Sequence, residues 1–145
     1  MDTRSNILTI PGSTRFLEEV RAFIAGHALR AGLDEARVDR LKMAVDEACT
    51  NVIEHAYGGE SEQRIEIAVI ARPDRLMVRI RDTGKSFDQE AYSEPDLLQY
   101  AKRRKSGGLG VHIMRKLTDE VTYRTTRTYN ECCLTTLLGG RHGDS

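Results

Sequence analysis

The hydrophobic period of this chain changes repeatedly along its length, and that succession restricts the architecture before any side chain is given a role. Ile7 to Ile10 alternate as a short strand. Apolar residues then recur at helical spacing, first as Phe16, Val20, Phe23, Ile24 and Leu29, then as Val38, Leu41, Val45, Ala48, Val52 and Ala56. Next the period drops to two, with Ile65, Ile67 and Val69 followed by Leu76, Val78 and Ile80. Val111, Ile113, Met114 and Leu117 restore a helix, and strands around Val121 to Thr126 and Glu131 to Leu138 end the pattern. Spacings of 3.6 and 2 residues place one face of a helix or strand on the core. The order strand, two helices, two strands, helix, two strands is not the alternation of a doubly wound parallel sheet. It predicts an α+β two-layer sandwich, a mixed and mostly antiparallel sheet covered on one face by helices.

The element boundaries carry their own chemistry. Pro11-Gly12 ends the first strand, and Ser13 or Thr14 caps the helix after it. Gly32 stops that helix, Asp34 caps the second, and Tyr57-Gly58-Gly59 ends it. Pro73-Asp74 turns the central hairpin, and Thr128-Tyr129-Asn130 joins the last two strands. Lys85 to Ser106 is polar, with a weak helical patch at Leu97 to Ala101 and a basic run from Lys102 to Lys105. Residues 1–139 read as one domain, and 140–145 as a disordered tail.

Twenty-two basic and twenty-two acidic side chains leave no net field to draw nucleic acid or an anionic membrane. No apolar run approaches the length that spans a bilayer. Three cysteines, two of them adjacent at Cys132-Cys133, are no disulfide framework and no typical zinc pair. A reduced, cytoplasmic protein with structural cysteines is expected.

Three short segments could do chemistry. Glu47, Asn51 and His55 are spaced i, i+4, i+8 and line a stripe displaced from the apolar face of the second helix. A solvated surface would give such a stripe, but asparagine in mid-helix costs roughly 0.6 kcal/mol relative to alanine. A carboxamide oxygen suits Mg²⁺ held with phosphates, and Glu47 one turn away could take a proton from a hydroxyl. Asp82-Thr83-Gly84 leaves a hydrophobic strand, where the carboxylate could accept from an adenine amino group; a plain strand-ending turn is the alternative. Gly107-Gly108-Leu109-Gly110 enters a helix and could aim backbone N–H groups at phosphate, or be an ordinary loop. It is neither a P-loop nor a Rossmann turn. In this order the three segments make ATP binding the leading reading.

The same segments carry a family resemblance. Asp46-Glu47-Ala48-Cys49-Thr50-Asn51-Val52-Ile53-Glu54-His55-Ala56-Tyr57 resembles the N box of the GHKL ATPase superfamily. Asp82-Thr83-Gly84-Lys85-Ser86-Phe87-Asp88 resembles its first glycine box, and Gly107-Gly108-Leu109-Gly110-Val111-His112-Ile113-Met114 its second. Within that superfamily the chain is most similar to the anti-sigma-factor serine/threonine kinases of bacterial partner switching. The resemblance implies a Bergerat ATP-binding fold with a lid over Lys85 to Ser106. It implies Glu47 as catalytic base, Asn51 as Mg²⁺ ligand, Asp82 as adenine contact and Gly84 under the base. Phe87, Gly107, Gly108, Leu109, Gly110 and Val111 would line the nucleotide, with Thr136 on its adenine side. Two departures stand out: Lys85-Ser86 where many relatives have a second glycine, and Cys132-Cys133-Leu134 where Gly-Thr-Thr is usual.

The implied activity is transfer of the ATP γ-phosphate to a serine or threonine of a small antagonist protein of the anti-anti-sigma type. The implied partners are that antagonist and a sigma factor or similar regulator, with a homodimer allowed. The second reading is a regulatory binding module in which ATP orders the lid without phosphoryl transfer.

Overall fold

The structure, a computed structural model, describes residues 6–84 and 108–139, with side chains between 108 and 139 described from residue 113 onward. The lid segment, Phe87, Gly107, the patch at 97–105 and the tail therefore lie outside the described residues. Five strands, β1 (Ile7–Gly12), β2 (Ser61–Ala71), β3 (Arg75–Asp82), β4 (Glu120–Thr125) and β5 (Asn130–Leu137), form one sheet in the order β1-β2-β3-β5-β4. Every pairing among them is antiparallel, so the mixed sheet expected from sequence has no parallel pair among the described residues. Helices α1 (Leu17–Arg30), α2 (Glu35–Asn51) and α3 (Gly108–Leu117) lie on one face, with α2 packed between the other two. This is the two-layer α+β sandwich.

The core sits between the layers. On β3 the inward residues are Leu76, Val78 and Ile80; on β5 they are Cys132 and Leu134, paired with Ile80 and Val78. Against them α2 buries Val38, Leu41, Val45 and Ala48, with Val52 and Ala56 continuing the stripe in the turn that follows. Each large side chain so buried contributes about 1.5–3 kcal/mol of hydrophobic free energy. The opposite face of the sheet is charged instead. There Glu131 is held by Arg81 at 2.8 Å and lies 3.5 Å from Arg124, and the Arg81 guanidinium stacks 4.1 Å above the Tyr129 ring.

The helix ends follow the sequence signals. Asp34 accepts a hydrogen bond from the Arg37 amide at 2.9 Å, which caps α2. After α1, Gly32 adopts φ +101°, and the amides of Gly32 and Leu33 donate to the carbonyls of Leu29 and Ala28. This is the left-handed termination that glycine favours. Leu29 departs from expectation: it is 56 % exposed, and Leu17, Val20, Ile24 and Ala28 form the buried stripe. A 3-10 turn at Thr14–Phe16 precedes α1, and within α1 Leu29 lies five residues after Ile24, about 140° round the helix from it. β1 also runs on through Pro11-Gly12 rather than ending there, as an edge strand permits.

Candidate nucleotide site

α2 does not finish as a regular helix. Val52–Ala56 form a π turn, closed by the Tyr57 amide donating to the Val52 carbonyl. Gly58 and Gly59, at φ +73° and +132°, then turn the chain away toward β2. The π turn delivers the end of α2 onto the segment leaving β3. A Cβ built on Gly84 would lie 2.7 Å from the Ala56 carbonyl oxygen and 2.8 Å from the Ala56 Cβ. Gly84 is thus required by contact with the helix end, and the sequence reading assigned it to the base.

Asp82 is buried, 2 % exposed, at the last position of β3. Its Oδ1 accepts from the Gly84 amide at 3.1 Å and from Asn130 Nδ2 at 3.0 Å. Asn130 pairs directly with Asp82 across the sheet, and its Oδ1 accepts from Thr125 Oγ1 at 2.9 Å on β4. A buried carboxylate needs such donors to offset its desolvation. Asn130 was read from sequence only as a turn residue. Its signal was parity: it shares the inward face of β5 with Cys132 and Leu134, where an amide is out of place unless it has a polar partner.

Glu47 and Asn51 lie on the same helix, both half-buried, one turn apart. At 1.5 Å rise per residue, Asn51 is about 7 Å and Glu47 about 13 Å along the helix axis from Ala56. Among the described residues neither side chain makes a hydrogen bond or ion pair. His55, third on the stripe, is exposed. Asp46, beside Glu47, is clamped from α1 by Arg21, whose Nη1 donates to both carboxylate oxygens at 3.0 and 2.8 Å. Three residues after Asp46, Cys49 points to the core, where burial foremost, then the Asp46 charge, pushes its thiol pKa well up. α3 opens at Gly108, so the free amides of its first turn come from Gly108, Leu109, Gly110 and Val111.

Thr136 requires a correction. It pairs with Leu76, whereas the partner of Asp82 is Asn130. The six positions from 130 to 136 span about 20 Å of extended chain at roughly 3.3 Å each. Thr136 is buried on the inward face at the opposite end of the strand and cannot share a base with Asp82. The side chains beside Asp82 are Asn130 and, behind it, Thr125.

A helix carrying Glu47 and Asn51 that ends against an Asp82 turn is the arrangement to compare with known families. The family model described as "Histidine kinase-like ATPase domain" matches residues 10–136. The chain belongs to that family. Membership of an ATPase domain family implies the use of ATP. Similar proteins include the serine-protein kinase RsbW of Listeria monocytogenes, 34 % identical over 118 residues, which covers 79 % of this chain and 75 % of that protein. The serine-protein kinase RsbW of Bacillus pumilus is 36 % identical over 121 residues, covering 79 % and 74 %. Two solved structures share the fold. The RsbU and RsbW domains of Rv1364c from Mycobacterium tuberculosis superpose with a TM-score of 0.61 at 17 % identity, covering 90 % of this chain and 32 % of that one. The SiaB-SiaC complex from Pseudomonas aeruginosa gives 0.55 at 15 % identity, covering 92 % and 91 %. Among the described residues no helix is long and apolar enough to cross a membrane.

Proposed function

We propose that the protein is an ATP-dependent serine/threonine protein kinase that phosphorylates a small antagonist protein and, when not engaged with it, sequesters a sigma factor or similar regulator. One observation carries the reading. A single helix bears Glu47 and Asn51 on one half-buried stripe and ends at Ala56 against the turn that holds Asp82. The similar serine-protein kinases, at about a third identity over most of both chains, support the reaction class.

Asp82 accepts from the adenine amino group while Asn130 and the Gly84 amide hold its other side. The amides opening α3 face the phosphates, where backbone donors and the positive helix end favour anions. Asn51 offers a hard oxygen to Mg²⁺, and that donor type fits the ion. Mg²⁺, when bound, neutralises charge on the phosphates. Glu47 takes the proton from the attacking serine or threonine hydroxyl, and the rest of the rate comes from positioning. The surroundings are cytoplasmic, and a homodimer is compatible with this reading.

The test is incubation with Mg·ATP and purified candidate antagonists, reading phosphoserine or phosphothreonine by mass spectrometry. ATP at about 100 times its dissociation constant should also stabilise the fold by about 2.7 kcal/mol. A thermal shift without any phosphoryl transfer would replace the kinase by a nucleotide-dependent binding module. No shift and no heat of binding would sink both.

A further inference from the structure

Tyr57 ties together three parts of the molecule that the mechanism above does not connect. Its ring lies over Gly12 of β1, where an added Cβ would come within 2.7 Å of Tyr57 Cδ2. Its hydroxyl donates to the Arg64 carbonyl at the start of β2. The same oxygen accepts from the Thr83 amide at 3.2 Å. Thr83 is the middle residue of the Asp82-Thr83-Gly84 turn, and the residue before Tyr57 is the one that Gly84 abuts. The end of α2 therefore grips the turn twice, once by contact at Ala56 and once by the Tyr57 hydroxyl. Gly12 has no positive φ to explain it, so the room it leaves for the ring is its structural purpose.

We propose that Tyr57 is a positioning residue for nucleotide recognition, a latch that sets the base-binding turn at a fixed offset from the helix bearing Glu47 and Asn51. The inference rests on the assignment of ATP to the Asp82 turn and adds the element that holds that turn in place. Without the hydroxyl, the Thr83 amide loses its partner and the turn gains freedom, so Asp82 must be ordered each time a base binds. The ring contact with Gly12 survives in phenylalanine, so Tyr57→Phe removes the latch and keeps the packing.

The experiment uses the full chain in three forms: wild type, Tyr57→Phe and Gly12→Ala. The second variant pushes the ring off its seat from the far side without touching the turn. Amide exchange at Thr83 is measured without nucleotide, and calorimetry is run with Mg·ATP and with Mg·tripolyphosphate. The expected result is faster Thr83 exchange and ATP binding weaker by roughly two- to tenfold in both variants, the range a single hydrogen bond contributes when water can replace it at an exposed donor. Tripolyphosphate affinity should stay at the wild-type value, and in a transfer assay KM for ATP should rise while kcat at saturation is kept. Unchanged Thr83 exchange would overturn the latch whatever the nucleotide does. Equal losses for ATP and tripolyphosphate would also overturn it, because a general loosening of the fold does not single out the base. Failure of wild type to bind ATP, with Thr83 exchange responding as expected, would sink the ATP assignment and leave the latch as a property of the fold.

Discussion

The two ends of the candidate site are built on opposite terms. At the base end, Asp82 and Asn130 are buried and bonded to each other, and Gly84 abuts Ala56. At the metal end, Glu47 and Asn51 are half-buried on a helix surface and make no side-chain hydrogen bond among the described residues. The difference matches the roles proposed for the two ends. A flat base is recognised by shape and by donors already aimed, so that end is set during folding. A proton acceptor and a metal ligand must still have free lone pairs when the ligand arrives, so that end cannot be satisfied by the protein. Mutations should therefore behave differently at the two ends, in stability at one and in rate at the other.

The largest effect expected is Glu47→Gln. It should lower phosphoryl transfer by about 10²–10⁴-fold with unfolding and ATP affinity left at wild-type values. Transfer kinetics beside calorimetry check it, and a stability loss equal to the rate loss would break the contrast. At the other end, Gly84→Ala inserts a methyl against the Ala56 carbonyl. Denaturant unfolding should show a loss of about 1–3 kcal/mol, together with weaker ATP binding. Asn130→Ala leaves a buried carboxylate short of one donor and should cost about 1–3 kcal/mol in the same measurement, with a smaller change if water replaces the amide. The smallest effect concerns the buried side of α2. Cys49 has a thiol pKa raised above its ordinary 9.0 by burial. Its contribution is fully present below pH 9 and is lost as the pH rises beyond it, because the unfolded chain ionises first. Stability should start to fall near pH 9 and do so less in Cys49→Ser, and iodoacetamide should label Cys133 before Cys49 in the folded protein.

Much of the fold was legible because period and punctuation agree. Asp34 and Gly32 marked their helix ends, and the α2 stripe from Val38 to Ala56 is buried throughout. Leu29 misled because it stands five residues after Ile24, about 140° round the helix from it, whereas the buried stripe steps by three and four. Thr136 misled for a different reason. Strand parity tells which face a residue occupies, and Thr136 does face inward, but only the pairing of β3 with β5 tells which residue stands opposite Asp82. Pairing is a relation between distant segments, and no local pattern encodes it. Asn130 and Tyr57 were missed likewise, since their partners lie 48 and 26 residues away.

The π turn at Val52–Ala56 makes α2 into a ruler with one graduation out of step. A regular helix would place successive residues 100° apart through to its end, whereas here the last turn holds one residue more. That extra residue sets the angle at which Ala56 and Tyr57 meet the turn after β3, while Glu47 and Asn51 upstream keep the ordinary phase. Length is then a harder constraint than identity. Replacing Ile53 or Glu54 by residues of similar size should be tolerated, but deleting one residue between Val52 and Ala56 would swing both contacts away from Thr83 and Gly84 together. Between the two ends of the site, the chain can vary its spelling but not its count.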